Sequence, residues 1–136
     1  MGNIDFVIHK KARFVHFKGT GDISCRYLME RIQALHRHPD FDFSFNSFID
    51  FKNAAVPVVD DWIDSYQPFF AALQKAGIHR KWAIYTEDDT TFQNANMSHL
   101  LQTGAIEVDV FQNRETALAS LGITNNDLHS SASSPE

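Results

Sequence analysis

From Ile4 to Phe17 the chain carries two β-rich runs divided by Lys10-Lys11. Pairing about that turn sets Phe6 near Val15, Ile4 near Phe17 and Asp5 opposite His16, which predicts an N-terminal hairpin. Gly19-Thr20-Gly21-Asp22 breaks the pattern and offers Asp22 as an N-cap. Ile23, Leu28, Ile32 and Leu35 then recur at near-helical spacing up to His38-Pro39, predicting the first helix.

Five phenylalanines fall between Phe41 and Phe51. Phe48-Ile49 reads as a buried strand that delivers Asp50 to its carboxyl edge, and Asn53 to Val59 reads as an irregular apolar loop. Asp60 and Asp61 supply first-turn acids for a second helix. Its apolar face holds Val59, Trp62, Ile63, Tyr66, Phe69, Phe70, Leu73 and Ala76 within an arc of roughly 140°, the width a helix needs to cover a sheet. Pro68 kinks or divides this helix and Gly77 ends it. Lys81 to Thr86 is the next strand, and Glu87-Asp88-Asp89-Thr90 leads into a third helix closed by Gly104. On that helix Phe92, Asn96 and His99 share the inward arc, while Met97 and Leu101 point elsewhere. Ile106, Val108 and Val110 alternate as a last strand. Asn113 caps a final helix through Leu121, with Ala117, Leu118 and Leu121 inward.

Strands alternating with helices predict an α/β fold: a single-layer mixed sheet, five-stranded and mostly parallel, with about four helices and an N-terminal β-hairpin. One domain is expected over residues 1–123. Residues 124–136 are rich in Ser, Asn and Asp, with Leu128 the one large apolar side chain among them, and read as a disordered tail.

Composition narrows the function classes. At 136 residues and 43% hydrophobic the chain has enough apolar surface for one core. A net charge of -5 with scattered cations argues against a nucleic-acid partner. The single cysteine, Cys25, cannot form an internal bridge, and with no leader pattern at the start a cytoplasmic setting is expected. No apolar run approaches the roughly 20 residues of a membrane span. There is no Gly-x-Ser-x-Gly elbow, phosphate-binding glycine loop or clustered zinc ligands, so no catalytic residue, metal ligand or cofactor is assigned.

The stretch from Ile4 to Ile123 carries His38-Pro39-Asp40-Phe41, Phe48-Ile49-Asp50-Phe51, Arg80-Lys81-Trp82-Ala83-Ile84, and Val108-Asp109-Val110-Phe111 running on to Leu118. In these features it resembles the SpoIIAA-like, or STAS-like, bacterial proteins. The resemblance implies a βα fold shared with STAS and CRAL-TRIO domains, and two kinds of function. CRAL-TRIO relatives hold an apolar ligand under a mobile helix and dock on membranes. STAS antagonists of anti-sigma factors are regulators switched at a Ser or Thr just after the strand that ends in Asp. Here that segment, Asp50 to Ala55, has no hydroxyl, so a regulator of this type would work without phosphorylation.

In open α/β sheets ligands sit beyond the carboxyl ends of the strands. The candidate ligand-binding residues are therefore Asp50, Trp62, Tyr66, Phe69, Phe70, Asn96 and His99, around a small apolar or amphipathic molecule such as a lipid, with peripheral membrane contact. Asp50 with Glu87, Asp88 and Asp89 could also hold Mg²⁺ in a carboxylate- or metal-dependent enzyme, but the commoner role of such residues is as helix caps and loop acceptors. His36 and His38 close the first helix, where imidazolium complements the helix dipole. Met97 and Leu101 are the candidate homodimer face.

Overall fold

β1 (Asn3–His9) and β2 (Phe14–Asp22) form the antiparallel hairpin, but two residues out of the expected register. Phe6 faces Phe17, Ile8 faces Val15, Asp5 faces Lys18, and His16 lies opposite Val7. The turn sets this offset. It spans Lys10 to Arg13, closed by the Arg13 N–H donating to the His9 carbonyl at 2.9 Å, with Arg13 in the left-handed region at φ 60°. The computed structural model describes residues 2–55, 68, 71–89, 106–128 and 133–135.

The glycines after Phe17 do not end β2. Gly21 takes φ 74°, and the pairing with β3 (Asn46–Ala55) shifts between Lys18 and Thr20 and then resumes to Asp22 and Ala55. A Cβ on Gly19 would lie 2.6 Å from Ile23 Cδ1 and 2.7 Å from the Phe51 ring, so a bare backbone is what lets those two side chains close over the bulge. Because Asp22 is held in the strand, the cap of α1 (Cys25–His36) falls to Ser24, whose hydroxyl accepts from the Tyr27 N–H at 3.1 Å.

β4 (Arg80–Tyr85) and β5 (Ile106–Phe111) add on in parallel beside β3. The six-stranded sheet has the order β5-β4-β3-β2-β1-β6, with β2 to β5 parallel and β1 antiparallel between β2 and β6. The expected mixed, chiefly parallel sheet with its leading hairpin is thus present, and one more strand joins it.

That strand, β6 (Ser133–Pro135), comes from the expected tail and pairs antiparallel with Val7 to His9. Before it, α2 (Arg114–Ser120) and the short α3 (Asn125–Leu128) bring Leu128 into the core beside Phe14 and Phe48. The described parts of residues 124–136 are therefore ordered. One apolar side chain anchors the segment, and the open edge of β1 supplies hydrogen bonds that its composition does not reveal.

Each face of the sheet is covered. Ile4, Phe6, Val15, Phe17, Ile49 and Trp82 meet Leu28, Met29, Ile32 and Leu35 of α1 on one side. Leu73, in the helical stretch 71–75, joins that core at 8% exposure, so the described end of the expected second helix packs inward. Phe14, Phe48, Ala83 and Tyr85 meet Ala117 and Leu118 of α2 on the other side. Leu128→Ala should lower unfolding free energy by about 2 kcal/mol, the low end for a buried leucine. Urea denaturation of the full chain checks this, and an unchanged midpoint would return the segment to an ornamental role.

Candidate functional site

β3 continues to Ala55, so Asp50 is not its last residue. β4, however, stops at Tyr85, the partner of Asp50 in the parallel register. Asp50 therefore sits inside its own strand but at the carboxyl edge of the neighbouring one. Its side chain projects toward α2, on the face that carries Phe48 and Tyr85.

Asn113 caps α2 by accepting from the Thr116 N–H at 2.9 Å, and this places Arg114 in the first turn. Arg114 Nη1 donates to Asp50 Oδ2 at 3.0 Å, while Nε donates to Asn125 Oδ1 at 3.3 Å. The other carboxylate oxygen, Oδ1, accepts from the Lys52 N–H at 3.0 Å. The Asp50 side chain is 8% exposed and that of Arg114 33%, so the pair has one foot in the core and one in water. Phe48 lies beneath, with the guanidinium 5.7 Å from its ring centre and the His16 imidazole stacked on it at 5.3 Å.

Burial pushes His16 down to about 4; the Asp50 charge opposes that shift and the Arg114 charge adds to it. His16 is consequently neutral at pH 7, and its Nε2 is buried with no hydrogen bond among the described residues. Tyr85 donates its hydroxyl to Glu87, and burial together with that carboxylate raises the phenol to about 12. The edge thus holds an ionised pair, a phenol–carboxylate pair and a neutral imidazole over aromatic rings.

Two of the acids of the following turn have side-chain partners on β4 and after β5. The Asp88 N–H donates to Thr86 Oγ1 at 3.2 Å and Asp89 accepts from Gln112 Nε2 at 3.0 Å, while Glu87 takes the Tyr85 hydroxyl. Among the described residues no three His, Cys, Asp or Glu side chains gather in a way that could hold a metal. Both oxygens of Asp50 already have donors.

A second polar cluster lies at the opposite, amino edge, where sequence reasoning assigned no site. Arg80 opens β4 at 1% exposure. It donates to the Ser47 hydroxyl and, through Nη1, to His36 Nε2 at 3.2 Å. Its guanidinium stands 5.0 Å from the Phe41 ring centre and 5.9 Å from that of Trp82. Burial lowers its pKa to about 9, which still leaves it charged at neutral pH. His36 is not the imidazolium expected at a helix end: burial, then the Arg80 charge, push it down to about 3, and it accepts from Arg80 while stacked 5.1 Å from Phe41. His16, likewise, is a half-buried imidazole on Phe48 and not a surface partner of Asp5. His38 Nδ1 accepts from the Asp40 N–H at 3.1 Å.

Of the expected ligand residues the structure places Asp50. Trp62, Tyr66, Phe69, Phe70, Asn96 and His99, and the candidate dimer residues Met97 and Leu101, lie outside the described residues. Arg114, Tyr85 and His16 were missed because they are far apart in sequence and meet only through strand register. Their one sequence signal is an arginine directly after the helix-capping Asn113. Asp50 to Ala55 is extended strand throughout, so Asn53, Ala54 and Ala55 belong to β3 where an irregular loop was expected.

No family model matches the chain, and no curated protein matches it. The chain is similar to the crystal structure of an uncharacterized protein of the DUF3478 family with a SpoIIAA-like fold, from Shewanella loihica PV-4. The identity is 16%, over 79% of this chain and 83% of that one, with a TM-score of 0.45.

The two depressed imidazoles make stability pH-dependent. In the unfolded chain a histidine titrates near about 6.5, whereas folded His16 titrates at about 4 and His36 at about 3. Between those values the unfolded state binds more protons, so the stabilisation is complete above the unfolded pKa and is lost as pH falls toward the folded one. Urea midpoints should drop from pH 7 to pH 5. His16→Phe, which keeps a ring on Phe48, should flatten that slope, and an unaltered slope would contradict the assignment of His16.

Proposed function

We propose that this is a non-catalytic, cytoplasmic binding module for a small amphipathic molecule such as a fatty acid or other lipid, working at a membrane surface. The polar head of the ligand lies against Arg114, at the carboxyl edge of β4. The reading rests above all on Arg114. Its guanidinium is anchored by Asp50 and Asn125, it is one-third exposed, and its Nη2 carries no hydrogen bond among the described residues. A fixed fork with a spare arm suits a carboxylate or phosphate. For the apolar share the sequence offers Val56 to Phe70, which follows β3 directly and includes Trp62, Tyr66, Phe69 and Phe70. No helix among the described residues is long and apolar enough to cross a membrane. A membrane role therefore takes the form of surface contact.

Titration with oleate tests this. The chain has two tryptophans, Trp62 and Trp82, so a Trp82→Phe background isolates Trp62 emission. Oleate should shift that emission, native mass spectrometry should find lipid retained on purification, and Arg114→Gln should weaken binding about tenfold, as loss of a charge-assisted hydrogen bond implies. An unshifted spectrum with no retained lipid would end the proposal.

A further inference from the structure

The amino edge of the sheet gathers cations in a chain that is acidic overall. The hairpin turn carries exposed Lys10, Lys11 and Arg13, α1 ends beside exposed Arg37, and β4 begins with exposed Lys81 after the buried Arg80. Contacts with residues 40–46 tie Lys10, Arg13 and Lys81 to one surface, and Lys11 and Arg37 adjoin it in the hairpin turn and at the end of α1. Lys10 pairs with Asp40 at 3.3 Å, Arg13 donates to Ser44 and lies 5.4 Å from the Phe45 ring centre, and the Lys81 N–H donates to Asn46 Oδ1 at 2.8 Å. Among the described residues the acids on this edge are Asp40, Asp42 and Glu107. Lys10 engages the first, the Ser44 hydroxyl and amide engage the second, and Lys81 engages the third at 3.8 Å. Among the described residues, five exposed cations against three acids make the edge positive on a chain of net charge -5.

At its tip stands Phe43, 38% exposed and the one exposed large hydrophobic side chain among the described residues. It is held out, not loose. Asp42 Oδ1 accepts from the Ser44 N–H at 2.8 Å, the Phe45 N–H donates to the Asp42 carbonyl at 2.9 Å, and the Phe43 ring sits edge-on to His36 and Phe41 at 5.0 and 5.2 Å.

We propose that this edge docks the protein on an anionic bilayer, with Phe43 entering the interface and Lys11, Arg13 and Arg37 lying on the headgroups. A lone aromatic is too little for a protein interface, whose buried core needs a patch of several hundred Å². One inserted ring beside several cations is enough for reversible binding to an acidic membrane surface. The inference deepens the membrane clause of the function proposed above. It concerns the edge opposite the ligand residues, so the two can fail separately.

Co-sedimentation of the full chain with vesicles tests it. Binding to mixed phosphatidylcholine and phosphatidylserine should exceed binding to phosphatidylcholine alone and should collapse near 1 M salt, where the screening length is about 3 Å. Each of Lys11→Glu and Arg37→Glu should weaken partition at least about fivefold, the loss set by one surface cation. Phe43→Ser should weaken it several-fold. Lys52→Glu, the same charge change at the other edge, should do little, and circular dichroism should show every variant folded. Equal binding to neutral vesicles, indifference to the Lys11 and Arg37 changes, or an equal loss with Lys52→Glu would overturn the assignment. The oleate response of Trp62 should persist in Phe43→Ser, which separates a failed docking face from a failed ligand site.

Discussion

A guanidinium buried without a carboxylate among the described residues organises the amino half of this protein. Arg80 is 1% exposed and keeps its charge, and a naked cation in an apolar interior would be prohibitive. Three kinds of partner make it tolerable: the Ser47 hydroxyl, a neutral imidazole on His36, and the faces of Phe41 and Trp82. Each of these ties a different element to β4. Ser47 belongs to β3, His36 to the last turn of α1, and Phe41 to the loop between them. Satisfying one charge therefore fixes where the helix ends, how the phenylalanine loop folds back and how the adjacent parallel strand begins.

Much of the architecture was legible in periodicity, and what was missed has physical causes. Alternation at Ile4, Phe6 and Ile8 and helical spacing at Leu28, Ile32 and Leu35 report burial directly, and those residues form the core. Register does not follow from alternation, because a slip of two residues keeps every side chain on its face. Arg13 in a left-handed conformation decided it. The Phe41 to Phe51 run divides as the reading of Phe48-Ile49 as strand implied: Phe48 and Phe51 are strand residues, whereas Phe41, Phe43 and Phe45 build a loop around Arg80 and Arg13 that the sequence left unassigned. The polar clusters were hidden for a related reason, since Asp50 and Arg114 are brought together by the crossing of α2 over the strands and by nothing nearby in sequence.

The sheet places contrasting chemistry at its two ends. At the carboxyl edge an ion pair stands over Phe48, and the acids Glu87, Asp88 and Asp89 face outward. At the amino edge exposed cations surround a single ring. Parallel strands make such a polarity natural, since each strand enters at one edge and leaves at the other, and the loops of the two edges can diverge without disturbing the core. His16 and His36 show how each edge joins that core: both are imidazoles stacked on phenylalanine and kept neutral by burial.

The pairing of β6 with β1 links two segments more than a hundred residues apart in the chain. On a ribosome, which releases the hairpin before β6, the outer backbone of Val7 to His9 lacks this partner until Ser133 to Pro135 has been made. Throughout that interval the nascent protein presents an unpaired strand to its surroundings, and whatever else can supply an extended backbone competes for the place that β6 will take.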